Sequence, residues 1–92
     1  MTNVGFIGIG LMGLPMCKRL LTANIPLTVW NRNTAKCLPL VELGASQASS
    51  IADMTQQCDV IMLCVSNTQA VQEVAKSLLP HLRVGQIIVD FS

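Results

Sequence analysis

Tyrosine is absent from this sequence, and the aromatic residues come to three: Phe6, Trp30 and Phe91. A nucleic-acid binder normally stacks bases on aromatic platforms within a clustered basic surface. Here Lys18, Arg19, Arg32, Lys36, Lys76 and Arg83 are scattered, six cations face five acids, and the net charge is +1. Nucleic acid is set aside as a partner. Long apolar runs are also missing. The longest, Val60 to Val65, is far short of the roughly 18 to 20 residues that span a bilayer, so no membrane crossing is expected. Met1-Thr2-Asn3-Val4 carries no Lys or Arg, and Gly5, Gly8 and Gly10 would break the apolar centre of a signal peptide. A cytoplasmic location is the resulting expectation. Histidine occurs once, as His81, and has no partner at metal-ligand spacing. Cys17, Cys37, Cys58 and Cys64 lack C-x-x-C spacing and sit among apolar neighbours, so they read as reduced core residues and no metal site is expected.

What the sequence does contain is core. Of its 92 residues 51% are apolar and 12% charged, which suits one buried domain and excludes both disorder and a two-domain enzyme. Short β-rich apolar runs alternate with segments of helical spacing, the pattern of an α/β fold whose parallel sheet is covered on both faces. Strands are expected at Asn3–Ile7, Leu27–Trp30, Asp59–Cys64 and Gln86–Asp90, with a brief one at Ala45–Ala48. Helices are expected at Leu11–Ala23, with Leu11, Leu14, Leu20 and Leu21 near its inner face, at Thr34–Leu43 and at Thr68–Leu79. Ser49 or Ser50 should cap a further short helix running to about Gln56. Pro39 removes a hydrogen bond inside the second helix, so a kink or a late start is expected there.

Gly8-Ile9-Gly10-Leu11-Met12-Gly13 has the G-x-G-x-x-G spacing, a weak signal on its own. It gains weight from following a strand and opening a helix. A dinucleotide's pyrophosphate needs such a place, where a tight turn and close backbone approach meet the unpaired N–H groups and positive dipole end of the helix. The competing interpretation is a merely structural turn. A P-loop would need Gly-Lys-Ser/Thr, and none follows Gly13. Methyltransferases also seat an adenosyl cofactor near a glycine-rich first turn, but commonly carry an acid after the second strand, where this chain has Asn31. A carboxylate there would accept from the ribose 2′-hydroxyl and repel a 2′-phosphate; Asn31 followed by Arg32 supplies donors that favour the phosphate. NADP is thus expected over NAD.

These residues together resemble the β-hydroxyacid dehydrogenases, a family that includes 3-hydroxyisobutyrate dehydrogenase, tartronate semialdehyde reductase and 6-phosphogluconate dehydrogenase. Gly5-Phe6-Ile7-Gly8-Ile9-Gly10-Leu11-Met12-Gly13-Leu14-Pro15-Met16 is similar to the family's opening signature, and Val29-Trp30-Asn31-Arg32-Asn33 to the Asn-Arg-Thr turn of its NADP-preferring members, with Asn33 in place of threonine. Cys64-Val65-Ser66-Asn67 stands where the family has a Met-Leu-Pro-Asp type turn bordering the cofactor, with Ser66 replacing the proline. Asp90-Phe91-Ser92 resembles the start of the Asp-x-Ser-Thr substrate motif. The likeness covers essentially the whole chain but only about the first third of a family member. It implies a Rossmann-type sheet of about five strands over residues 1–92, incomplete as a dinucleotide-binding domain. It also implies that Gly8 to Gly13, Asn31 to Asn33 and Val65 to Asn67 hold the cofactor, and that Ser92 holds the substrate's carboxylate or hydroxyl.

In the family a later lysine serves as acid/base, and a helical C-terminal domain closes the substrate site and forms the dimer, so the whole protein is expected to be a homo-oligomer. Lys18, Lys36 and Lys76 fall on expected helices remote from the glycine turn, and no catalytic residue is assigned within the 92. The implied function is the cofactor-binding segment of an NADP-dependent oxidoreductase acting on a small β-hydroxyacid. Two alternatives stay open: the N-terminal domain of an imine reductase, which shares the Val-Trp-Asn-Arg turn, and a non-catalytic nucleotide-binding module.

Overall fold

Each apolar run feeds two cores at once, and this is why it is a strand. The computed structural model describes residues 2–65 and 67–91. Among these, strands β1 (Val4–Ile7), β2 (Leu27–Trp30), β3 (Ser46–Gln47), β4 (Val60–Leu63) and β5 (Ile87–Asp90) form one parallel sheet in the order β3-β2-β1-β4-β5. Val4 and Phe6 of β1, Leu27 and Val29 of β2, and Val60 and Met62 of β4 join one apolar cluster. Ile7, Trp30, Ile61 and Leu63, the residues of opposite parity, join the other. Successive strand side chains point to opposite faces, so a near-continuous apolar strand is stable only with cover on both.

The cover is supplied by four helices. On the first face α1 (Gly13–Thr22) contributes Cys17, Leu20 and Leu21, and α2 (Leu38–Glu42) contributes Leu40. On the second, α3 (Ile51–Gln57) contributes Ile51 and Met54, and α4 (Thr68–Leu78) contributes Val74 and Leu78. Burying each such side chain is worth about 2 kcal/mol. The arrangement is the Rossmann-type α/β fold anticipated from the sequence, with helices on both faces.

Local chemistry sets the boundaries. Ser50 caps α3 by accepting the Asp53 N–H at 3.0 Å, and Asn67 caps α4 by accepting the Ala70 N–H at 2.8 Å. The segment around Pro39 starts late: Thr34–Cys37 is a 3₁₀ turn, and α2 begins at Leu38 with the proline in its first turn, where a missing N–H costs nothing. Leu43-Gly44-Ala45 ends α2 with the N–H groups of Gly44 and Ala45 donating to Val41 and Leu40, the left-handed Gly44 (φ +111°) reversing the chain. Asn24 does the same for α1 at φ +60°, with Asn24 and Ile25 donating to Leu21 and Leu20.

Apart from the late start of α2, one boundary differs from expectation by more than a residue. Helix α1 starts at Gly13, two residues later than the periodicity suggested, and Leu11, placed on its inner face by that periodicity, is 98% exposed. Leu11 and Met12 belong to the turn.

The cysteines are free. Cys17, Cys37 and Cys58 are buried. Burial above all, with Cys37 and Cys64 adding to it, pushes the Cys17 thiol up to about 12, and burial raises Cys37 and Cys58 too. They stay protonated and behave as small apolar groups. No helix among the described residues is long and apolar enough to cross a membrane.

The two sheet edges differ. Strand β3 is two residues long, polar and exposed. Strand β5 is tethered through Gln86, whose Nε2 donates to the Thr55 and Cys58 carbonyls at 2.6 and 2.8 Å, but Ile87 and Ile88 remain 57% and 38% exposed. An apolar edge strand is a template for association. Residues 1–92 produced alone should therefore elute from a sizing column as a concentration-dependent mixture of species. Ile87→Lys together with Ile88→Thr should shift that mixture toward monomer, and a monomer at all concentrations before substitution would count against this account of the edge.

Candidate functional site

In-register pairing brings the C-terminal ends of four strands to one line: Ile7 lies beside Trp30 and Leu63, and Leu63 beside Asp90. The chain leaves that line at Gly8, Asn31, Cys64 and Phe91. Three backbone bonds stitch the departures together: Gly8 N–H to Trp30 O at 3.1 Å, Cys64 N–H to Ile7 O at 2.9 Å and Phe91 N–H to Leu63 O at 2.8 Å. The chain crosses from one side of β1 to the other between β3 and β4, and in open α/β sheets the crevice at such a switch point is where ligands bind.

The three glycines of the turn have different reasons to be glycine. Gly8 is left-handed at φ +102°, and a Cβ there would lie 2.1 Å from the Cys64 carbonyl oxygen. A Cβ on Gly13 would lie 2.2 Å from the Gly8 carbonyl oxygen. Both are required by the fold itself. Gly10 has no atom within 4 Å of its missing Cβ and no left-handed backbone, so neither packing nor conformation demands a glycine there. Its bare side meets open space, and the residue lines the cleft described below. The Leu14 N–H donates to Gly10 O at 3.0 Å, and by the pairing rule of a helix start the preceding N–H groups have no intrahelical acceptor. Unlike α3 and α4, α1 has no side-chain cap, and no acid stands in its first turn. The arrangement suits an anion.

Asn31 has a role that sequence inspection missed. Its Oδ1 accepts the Ile9 N–H at 2.8 Å and its Nδ2 donates to Asn33 O at 2.9 Å, so one amide ties the glycine turn to the end of β2. An aspartate could accept the first bond but not donate the second. Asn33 in turn accepts the Ala35 N–H at 3.2 Å and caps the 3₁₀ turn. Arg32 projects outward with its side chain 83% exposed, and its Nη1 is 3.4 Å from Oε2 of Glu73 on α4.

A cleft of about 420 Å³ runs between these turns and α4. Gly8, Ile9, Gly10, Asn31, Arg32, Val65 and Asn67, among the positions expected to hold a cofactor, line it. Leu11, Met12, Gly13 and Asn33 do not: the first two are exposed at the turn, Gly13 is buried beneath it, and Asn33 faces the 3₁₀ turn. Ser66 and Ser92 lie outside the described residues. Lys36 lines the same cleft as Arg32. The sequence had placed it on a helix remote from the glycine turn; it lies instead on the 3₁₀ turn Thr34–Cys37, which borders the cleft. Trp30, Ile51 and Val74 make the apolar wall, and α4 adds Ala70, Glu73 and Ser77. Among the described residues no three His, Cys, Asp or Glu side chains gather as metal ligands.

Comparison with known proteins agrees with this geometry. The family profile for the NAD binding domain of 6-phosphogluconate dehydrogenase matches residues 3–92. Glyoxylate/succinic semialdehyde reductase 2, chloroplastic, of Arabidopsis thaliana is 41% identical over 73 residues, which are 79% of this chain and 20% of that protein. The NADPH-dependent reductive aminase of Aspergillus oryzae is 38% identical over 86 residues, 94% of this chain and 29% of that one. An imine reductase from Myxococcus stipitatus, solved in complex with NADP+, superposes with a TM-score of 0.89 at 31% identity, covering 96% of this chain and 31% of its own. The chain thus spans between a fifth and a third of the length of these relatives.

The unequal glycines make a contrast that urea denaturation can measure. Gly8→Ala and Gly13→Ala should each cost about 2 to 4 kcal/mol of stability, since a new methyl meets backbone that cannot move aside. Gly10→Ala should change stability by less than about 1 kcal/mol. Equal losses at all three positions would mean that Gly10 is also structural.

Proposed function

The chain belongs to the family of the NAD binding domain of 6-phosphogluconate dehydrogenase, and from that premise we propose that it is the cofactor-binding domain of an NADP-dependent oxidoreductase acting on a small β-hydroxyacid or the corresponding semialdehyde. The observation that carries this reading is the bare Gly10 over the uncapped start of α1, in one cleft with Arg32 and Lys36. An anion fits above the helix start and a second anion fits between the two cations.

Each group in the cleft then has a task. The N–H groups at the start of α1 bind the pyrophosphate, and the space at Gly10 lets it come close. Arg32 and Lys36 bind the 2′-phosphate, which a carboxylate at position 31 would repel. Asn31 keeps the glycine turn in register with β2, and the backbone at Val65 borders the cofactor from the β4 side. Trp30, Ile51 and Val74 exclude water from that wall. The nicotinamide, when bound, supplies or accepts the hydride. The acid/base group is assigned to no residue of this chain. Ser92, within Asp90-Phe91-Ser92, is the residue proposed to touch the substrate.

A second reading, an imine or iminium substrate, is favoured by the resemblance to the reductive aminase and the imine reductase. The two are separated by the whole protein's turnover with NADPH: semialdehydes reduced in preference to cyclic imines support the hydroxyacid reading, and the reverse order replaces it.

Cofactor choice is open to direct titration. NADP+ should bind about ten- to a hundredfold more tightly than NAD+, the scale of one charge-assisted contact. Arg32→Ala should remove most of that preference, and Gly10→Val should abolish binding of both while far-UV circular dichroism stays unchanged. Equal affinities in the unsubstituted protein would overturn the NADP assignment.

A further inference from the structure

The cleft that Arg32 and Lys36 make basic contains one carboxylate among its described lining residues, that of Glu73. It is there by helical geometry. Ala70, Glu73, Val74 and Ser77 are spaced i, i+3, i+4 and i+7, so they share the face that α4 turns to the cleft. The helix cannot carry Glu73 away, because the Asn67 cap fixes its start and buried Val74 and Leu78 seat it on the sheet. Glu73 instead reaches the Arg32 guanidinium, 3.4 Å away, from the opposite side of the cleft. An acid here works against the ligand assigned to Arg32, which is itself a phosphate of about two negative charges.

We propose that Glu73 is a specificity-determining residue, its carboxylate occupying the Arg32 guanidinium until a 2′-phosphate displaces it, so that it holds down the preference for the phosphorylated dinucleotide. Resting on the NADP reading above, this assigns a sign to the effect. Glu73 could in principle help by holding Arg32 in place. With the two side chains 83% and 49% exposed, however, an ion pair of this kind orders its partners only weakly. Its negative charge acts on an incoming dianion in the same cleft whatever geometry Arg32 adopts, and its carboxylate competes with the anion for the Nη1 edge of the guanidinium. Repulsion and competition therefore outweigh positioning. NAD carries a hydroxyl in place of that phosphate and does not need Arg32 released. Glu73 thus narrows the gap between the two cofactors, and substituting it widens the gap.

The test is a set of Kd values for NADP+ and NAD+ measured on the protein and on Glu73→Gln and Glu73→Lys, with folding checked by circular dichroism. The ratio Kd(NAD+)/Kd(NADP+) should rise about three- to tenfold in Glu73→Gln and further in Glu73→Lys. The gain should shrink as salt screens the charges. A purely structural role would weaken both cofactors together and leave the ratio where it was. If the unsubstituted protein prefers NADP+ but Glu73→Gln leaves the ratio unchanged or lowers it, the inference about Glu73 falls and the cofactor reading stands. If the unsubstituted protein shows no preference for NADP+, both fall.

Discussion

Two carbonyl oxygens decide the shape of the cleft. That of Cys64 lies where a side chain on Gly8 would begin, and that of Gly8 lies where a side chain on Gly13 would begin. Strand end, turn and helix start are thereby stacked backbone on backbone, closer than any Cβ permits. Such an approach fixes the start of α1 against the end of β1 and the chain after β4 independently of what it binds. Everything else in the site hangs on that stack: Asn31 locks the turn to β2, and α4 closes the far wall.

A neutral amide at position 31 follows from the same geometry. Asn31 faces an N–H of the turn, that of Ile9, and a carbonyl of the loop after β2, that of Asn33. A group that accepts and donates satisfies both. Choosing asparagine serves the backbone and at the same time leaves the end of β2 without negative charge, so that Arg32 and Lys36 set the sign of the field there. Under the NADP reading proposed above, one residue would serve both structure and cofactor selection, and substitutions at 31 would read out both.

Much of this was legible in the residues. The strands were legible as short continuous apolar runs, because a strand covered on both faces buries successive side chains, and the helices as segments of period-3.6 spacing between them. Pro39 announced the late start of α2 because a lost N–H is tolerated only in a first turn. The beginning of α1 was misread because Leu11 and Met12 are apolar and continue the helical spacing, yet the stacked glycines hold them outside the helix. Lys36 was missed because it looked like one more exposed cation on a helix; the 3₁₀ turn that brings it to the cleft is capped by Asn33, and no helical periodicity marks it. The Arg32–Glu73 pair joins residues from different strand-helix units, and a spacing rule that looks three or four positions along the chain cannot see it. The separate reasons for the three glycines needed coordinates, since all three look alike as letters.

The polarity of the sheet edges sets a direction of growth. With β3 reduced to Ser46 and Gln47, the side beyond β2 offers two residues of exposed polar backbone and nothing apolar to bury. Strand β5 offers four residues, three of them Ile87, Ile88 and Val89. Any lateral neighbour, from the same polypeptide or another, is therefore recruited on the β5 flank. The basic mouth after β2, lined by Arg32 and Lys36, lies toward the opposite flank, so the sheet can be extended without its new material being built across that mouth.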